Sequence, residues 1–167
     1  MSTNLHTAIA HGAAATHDTI NAPLAQLDAK INPTVAEYED TSSAAQTVTT
    51  GGTFYAVTSF EVSFTPAYTG QVFTLHLIIG TAFSAAGVIE VNMRVTDSGG
   101  TTVRDDLIRA RASVGSSSDR VHFSGSRAWT AGAGDVGATR KAKVYMTHDV
   151  NGTSVTLGRK IVQAVSH

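Results

Sequence analysis

The chain has 167 residues, of which 42% are hydrophobic and 15% charged, with a formal net charge of −1 and no cysteine. This hydrophobic content excludes an intrinsically disordered chain, and the lack of cysteine excludes disulfides and thiolate metal sites. The Lys and Arg residues form no basic stripe, so we expect no direct nucleic-acid binding. No apolar run approaches the roughly 20 residues of a membrane-spanning helix, so we expect no membrane insertion.

Residues 1–33 are predicted to form a helical stem of two segments. The alanine-rich stretch Leu5–His17 precedes a second start signal at Asn21, with Pro23 in the first turn of the next helix. Pro33 ends this helix, because the residue before a proline is driven toward an extended conformation. Residues spaced four and three apart form a heptad seam on the stem: Ala13, His17, Ile20, Leu24, Leu27 and Ile31.

The seam has two interpretations, since it can bury against its own domain or against copies of itself. An isolated helix of about two heptads is marginal in water, and the alanine-rich flank allows close approach of neighbouring helices. These features favour self-association, and a trimer is one such assembly. Three copies of His17 would then face one axis, where imidazoles can bind a metal or an anion, or form a polar layer. The histidines otherwise lack ligand spacing, so we expect neither a metal site nor a cofactor.

Residues 34–52 are predicted to be a linker that becomes a first strand near Gln46–Thr49, followed by a single β-head over residues 53–167. Seven or eight strands are separated by turn signals at regular spacing, and no long helix interrupts them. This pattern predicts a mainly β fold, an antiparallel β-sandwich of the jelly-roll kind behind a short N-terminal α-helical stem.

Individual strands carry more detailed predictions. The nearly continuous apolar run Val72–Ile79 indicates a strand covered on both faces, and Asn151-Gly152 is typical of a hairpin turn. Gly125 lies within a strand pattern, where glycine often marks a bulge. Strict alternation at the start of the head predicts one buried face: Phe54, Ala56, Thr58, Phe60, Val62 and Phe64.

No spacing in the sequence assembles an acid, a base and a nucleophile, so we do not expect an enzyme. Four residues are candidates for an interface instead. Arg109, Arg111 and Arg127 lie on predicted strands, where they either cover an exposed face or form bidentate bonds to another protein. Trp129, the only tryptophan, is either a core anchor or an interface anchor.

Two segments resemble known virion proteins. Residues 5–31 combine an alanine-rich helix with the pattern Asn-Ala-Pro-Leu-Ala-Gln-Leu-Asp, and resemble N-terminal segments of trimeric fibre and other virion proteins of tailed bacteriophages. Residues 121–135 resemble the strand, glycine turn and strand of trimeric jelly-roll heads of the complement C1q and tumour-necrosis-factor type, which recur in phage fibres and capsid decoration proteins. The resemblance implies a homotrimeric virion component and brings no catalytic residues.

Three functions remain open at this point. The first is a short trimeric fibre or spike, whose stem anchors to other virion proteins and whose head contacts neighbouring subunits or a host surface glycan or protein. The second is a capsid decoration protein, and the third is a soluble carbohydrate-binding module, which needs an exposed aromatic platform. Residues 1–11 lack the charged start and apolar stretch of a signal peptide, so we expect assembly in a host cytoplasm and a final location in the virion.

Overall fold

A computed structural model describes residues 34–117 and 119–167, together with Leu24 and Leu27. The other predicted seam residues, Ala13, His17, Ile20 and Ile31, lie outside the described residues. The described chain is mostly antiparallel strand, which confirms the mainly β prediction. Its nine strands are β1 Val35–Asp40, β2 Ala44–Val48, β3 Tyr55–Phe64, β4 Val72–Phe83, β5 Gly87–Asp97, β6 Thr102–Val114, β7 Arg120–Thr130, β8 Arg140–His148 and β9 Thr153–Ser166, with a short 3-10 helix at Ala133–Asp135.

The strands form two sheets that pack face to face as a sandwich. Sheet A has the order β1-β9-β4-β7, and β2 also pairs with β9; sheet B has the order β3-β8-β5-β6. The long strand β9 pairs with β2 through its first half and with β1 through its second half. Strands that are distant in sequence are therefore neighbours in both sheets, as in a jelly roll.

The core lies where the inward residues of the two sheets meet. Leu75 and Leu77 of sheet A and Met93 of sheet B are almost completely buried. At one end Trp129 packs edge-on against Phe64, with 5.5 Å between ring centroids. Burial of each large apolar side chain stabilises the fold by about 1.5–3 kcal/mol, so this shared core ties the two sheets together.

The segment predicted as a linker begins with a strand. In β1, Ala36 and Tyr38 pack against the core, whereas Glu37 and Glu39 are exposed. The acidic residues are thus the solvent-facing half of an alternating strand that pairs with β9. The strand expected near residues 46–49 is β2, which begins two residues earlier, at Ala44.

The predicted buried face of β3 is confirmed only beyond Ser59. Before that residue Val57 is buried and Thr58 is exposed, the reverse of the prediction. The pairing of β3 with β8 shifts register between Ala56 and Glu61, and Ser59 has a positive φ of 55°. Between these pairs β3 advances by five residues, from Ala56 to Glu61, while β8 advances by two, from Tyr145 to Lys143. The irregularity therefore adds an odd number of residues to β3, which exchanges the inward and outward sides of the strand.

The prediction that Val72–Ile79 is covered on both faces is wrong for this chain. Leu75, Leu77 and Ile79 are buried, but His76 between them is only half-buried and Ile78 is 43% exposed. Strand β4 therefore has one face in the core and one face open. The physical reason is that sheet B packs on only one side of sheet A.

Two glycine predictions also change. Asn151-Gly152 makes a turn, with Gly152 at a φ of 71°, but it joins β8 of sheet B to β9 of sheet A and is not a hairpin. Gly125 causes no bulge, because the register of β7 with β4 is continuous. A Cβ there would lie 2.7 Å from Ile108 Cγ2 of β6, so Gly125 is needed for a close approach of the two edge strands.

Candidate functional site

The outer face of sheet A carries a surface without charged side chains. It is centred on β4, whose outward residues lie between in-register residues of β9 and β7. His76 is its ionisable member, and the imidazole of His167 borders it, with Nε2 2.7 Å from Thr74 Oγ1. We call this set the uncharged surface: Val72, Thr74, His76 and Ile78 of β4, Ile161, Gln163 and Val165 of β9, and Ser124, Ser126 and Ala128 of β7.

The uncharged surface adjoins the point where the stem would enter the head. Val35, the first residue of β1, is 57% exposed and pairs with Val165 on the same face. It follows Pro33, the predicted end of the stem, by two residues. Along β1 the surface is bordered by Glu37, which accepts a hydrogen bond from Gln163, and by Glu39, which lies 3.0 Å from Arg159.

The outer face of sheet B has the opposite character, because charged residues line it. Arg109 Nη2 lies 2.7 Å from Glu90 Oε2, and Arg111 Nε lies 3.5 Å from Glu90 Oε1. The two arginine side chains are 52% and 67% exposed, and exposed pairs of this kind stabilise a fold by only about 0–1 kcal/mol. Arg109 and Arg111, two of the three predicted interface arginines, are therefore accessible on the face opposite the uncharged surface.

The aromatic side chains of sheet B do not form an open platform for a sugar. The Arg94 guanidinium lies 4.3 Å from the ring centroid of Tyr145 and 5.4 Å from that of Phe54. Each of these cation–π contacts covers one face of a ring and leaves that face closed to a stacking sugar.

The two remaining interface candidates lie away from both outer faces. Trp129 is 7% exposed and belongs to the core, so the core alternative is the one that the structure shows. Arg127 is exposed on β7 and lines a groove beside Ile108 and Arg109 of β6. Arg127 is therefore accessible at the edge of the sandwich where β6 and β7 lie side by side, and not on the outer face of either sheet.

A buried ion pair ties β1 to β9. The Lys160 side chain is 2% exposed, and its Nζ lies 3.0 Å from Asp40 Oδ2 and donates to the Ser42 carbonyl at 3.2 Å. Hydrogen bonds from Ser42 and then from Lys160 hold the pKa of Asp40 well below its usual range. The pair fixes the strand that follows the predicted stem onto the sandwich.

Within residues 34–117 and 119–167, no group of three or more His, Asp or Glu side chains is placed to hold a metal ion. The His17 metal hypothesis concerns a residue outside this part of the chain. Among the residues that the structure describes, no helix is long and apolar enough to cross a membrane.

Sequence reasoning missed the uncharged surface. The signal was present in β4, where the residues alternating with buried Leu75 and Leu77 are Thr74, His76 and Ile78 rather than Lys or Glu. A continuous apolar run was interpreted as a doubly covered strand, whereas it belongs to a strand whose second face is open and uncharged.

No protein-family model matches the sequence, and no curated protein matches it either. Solved structures do resemble the fold. The structure of infectious bursal virus derived T=1 particles matches with a TM-score of 0.52 and 11% identity, over 80% of this chain and 31% of that one. Eiger TNF from S. frugiperda matches with a TM-score of 0.51 and 13% identity, over 81% of this chain and 92% of that one.

This chain therefore spans about a third of the length of the bursal virus protein and corresponds to nearly all of the TNF chain. At such low identity the likeness concerns the fold alone. It agrees with the antiparallel jelly-roll sandwich that the strand order of the two sheets defines.

Proposed function

We propose that this chain is a non-enzymatic structural protein of a tailed-phage virion, a short homotrimeric fibre or spike. The stem, residues 1–33, joins three copies and anchors them to other virion proteins. The β-head contacts a host surface or neighbouring subunits. The observation that carries the proposal is the uncharged surface of sheet A, which lies at the entry of the stem.

The chemistry of this surface suits contact with another protein. Charged residues are depleted at the centres of protein interfaces, because a charge that loses water without a partner is costly. Ile78 at 43% and Val35 at 57% are large apolar side chains left exposed on this face. Serine, threonine and glutamine around them can be buried at low cost when they find hydrogen-bond partners across the contact.

The occupant that fits best is another copy of the chain. If three stems associate along the heptad seam, the three polypeptides emerge side by side at Pro33 and enter β1 at Val35. Three uncharged surfaces are then brought together at high effective concentration, which lets weak contacts add to stem pairing. Leu24 and Leu27 of the seam are helical and 48% and 44% exposed in the single chain. Exposure of these apolar side chains agrees with a seam that is buried against another helix.

The structural likeness gives further support. A fold similar to this one occurs in a protein of T=1 virus particles, so a jelly roll can serve in a viral shell. The resemblance of residues 5–31 to phage fibre segments is what favours a tailed phage over other viruses.

Substitution of Ile78 by Glu tests the role of the uncharged surface. It places a charge on the uncharged surface of each copy, so we expect the trimer to dissociate at a protein concentration at least tenfold higher than the unmodified chain. Light scattering across a dilution series measures this. Val103→Glu is the matched control, since Val103 is 44% exposed but lies on β6 of the other sheet. Equal behaviour of the two variants would exclude this surface as the contact.

A capsid decoration protein is the second candidate, because it uses the same trimer. Antibody-labelled electron microscopy of virions separates the two, since the fibre proposal expects label at the tail and the decoration alternative expects label over the capsid.

A soluble carbohydrate-binding module is disfavoured by the Arg94 contacts with Phe54 and Tyr145. Glycan binding by a monomeric chain would favour the carbohydrate-binding module over the fibre.

A further inference from the structure

A small hollow lies at one end of the outer face of sheet A, beyond the uncharged surface. Its floor includes Gly80 of β4 and Gly158 of β9, two neighbouring strands whose register shifts between Ile79 and Thr81. Neither glycine has a side chain to fill the space, and a cavity of about 220 Å³ remains open to solvent. This is smaller than the roughly 300–1,000 Å³ of sites for drug-sized ligands, so the hollow fits a small group.

Basic side chains line the hollow. Arg120 and His122 of β7 and Arg159 of β9 contribute to it, and no carboxylate does. Arg159 is paired with Glu39 outside the hollow, at 3.0 Å. The side chains of Arg120 and His122 make no hydrogen bond or ion pair with any other residue that the structure describes. Two guanidinium groups and an imidazole thus line one small hollow, and of the two guanidinium groups only that of Arg159 has a described carboxylate partner.

Hydroxyl groups complete the lining. Ser43, in the loop before β2, and Thr156 of β9 both border the hollow. Arginine binds planar or tetrahedral oxyanions through paired N–H donors, and hydroxyl groups add further donors to the same oxygens. A negatively charged group with several oxygen atoms matches this set of donors better than a neutral or positively charged group does.

We propose that the hollow binds a small oxyanion, namely a carboxylate, sulfate or phosphate group on a ligand no larger than one sugar residue. Arg120 is the principal contact, and His122 and Arg159 also line the hollow. The proposal rests on the geometry of the hollow and not on the virion function, so either one can fail without the other.

Calorimetric titration of the full chain at low chloride concentration tests the site. The probes are sodium sulfate, sodium phosphate and sodium glucuronate, with glucose as the neutral match for glucuronate. We expect saturable binding of at least one anion, one per chain, and none of glucose. The strongest of the three anions identifies whether a sulfate, a phosphate or a sugar carboxylate is the preferred group.

Arg120→Ala is expected to weaken anion binding by about tenfold or more, as loss of a charged hydrogen-bond donor does. Arg104→Ala removes the same charge from the exposed part of β6 on the other sheet and should leave binding unchanged. Gly158→Ala should weaken binding without a change of charge, since its Cβ would enter the floor at an ordinary 3.7 Å from the Gly80 carbonyl oxygen. Absence of saturable binding to all three anions, or equal losses in Arg120→Ala and Arg104→Ala, overturns the proposal.

Discussion

At the scale of single residues, the two partners of the Asp40–Lys160 pair differ in exposure. The Lys160 side chain is 2% exposed, whereas that of Asp40 is 27% exposed and also accepts a hydrogen bond from the Ser42 N–H at 2.7 Å. Loss of one partner from a buried pair is costly mainly when the remaining charge stays buried. The two possible deletions therefore have different consequences.

Asp40→Ala is expected to destabilise the head more than Lys160→Met does. The first change leaves a buried ammonium with the Ser42 carbonyl as its remaining described partner, while the second leaves a carboxylate that still has the Ser42 N–H and water. Methionine also retains most of the apolar length of lysine. Urea unfolding of both variants measures the difference, and a lower midpoint for Lys160→Met than for Asp40→Ala would contradict this reading of the pair.

The same residues illustrate what the sequence could and could not provide. Lys160 falls in an apolar stretch of β9, and Asp40 falls in an acidic patch that is typical of a solvated linker. Their pairing depends on the register Asp40–Lys160 across 120 residues of chain, which no local pattern predicts. The exposure of Arg109 and Arg111 was easier to predict, because a charge on a strand of a weakly charged domain is itself a local signal, and their role in an interface stays a prediction.

At the scale of elements, β3 shows how one backbone conformation changes a whole face. Alternation predicts strand residues reliably only while the register is continuous. Residues with a positive φ are most often glycine or asparagine. Here the residue is Ser59, so the sequence does not predict the bulge. The strands of the head and most turns could be predicted, whereas the sheet to which each strand belongs could not. The described residues form nine strands and not the seven or eight predicted, because β1 lies in the segment predicted to be a linker.

Substitutions at Ser59 test the bulge. Asparagine tolerates a positive φ, so Ser59→Asn should leave stability within about 0.5 kcal/mol of the unmodified chain. A β-branched side chain is strained there, and Ser59→Val should destabilise by about 1–3 kcal/mol. Thermal unfolding of the two variants provides the comparison. Equal stabilities would mean that the strand can adopt a regular conformation at this position.

At the scale of the whole molecule, the fold class followed from composition and periodicity, because two packed sheets are the simplest way to bury many short alternating strands. The open second face of sheet A did not follow, since exposure depends on what the rest of the chain covers. The stem seam and the uncharged surface come from independent observations, one from heptad spacing and one from the structure. The predicted end of the stem at Pro33 and the exposed Val35 at the start of β1 are two residues apart, and the proposed contact between copies joins the two observations.

The central claim is that the chain works as a trimer. The measurement that tests it most directly is the molar mass of the full 167-residue chain in solution, determined by light scattering at micromolar concentration. The account predicts a mass three times that of the 17.4 kDa chain, stable on dilution through that range. A mass equal to that of one chain under the same conditions would contradict it.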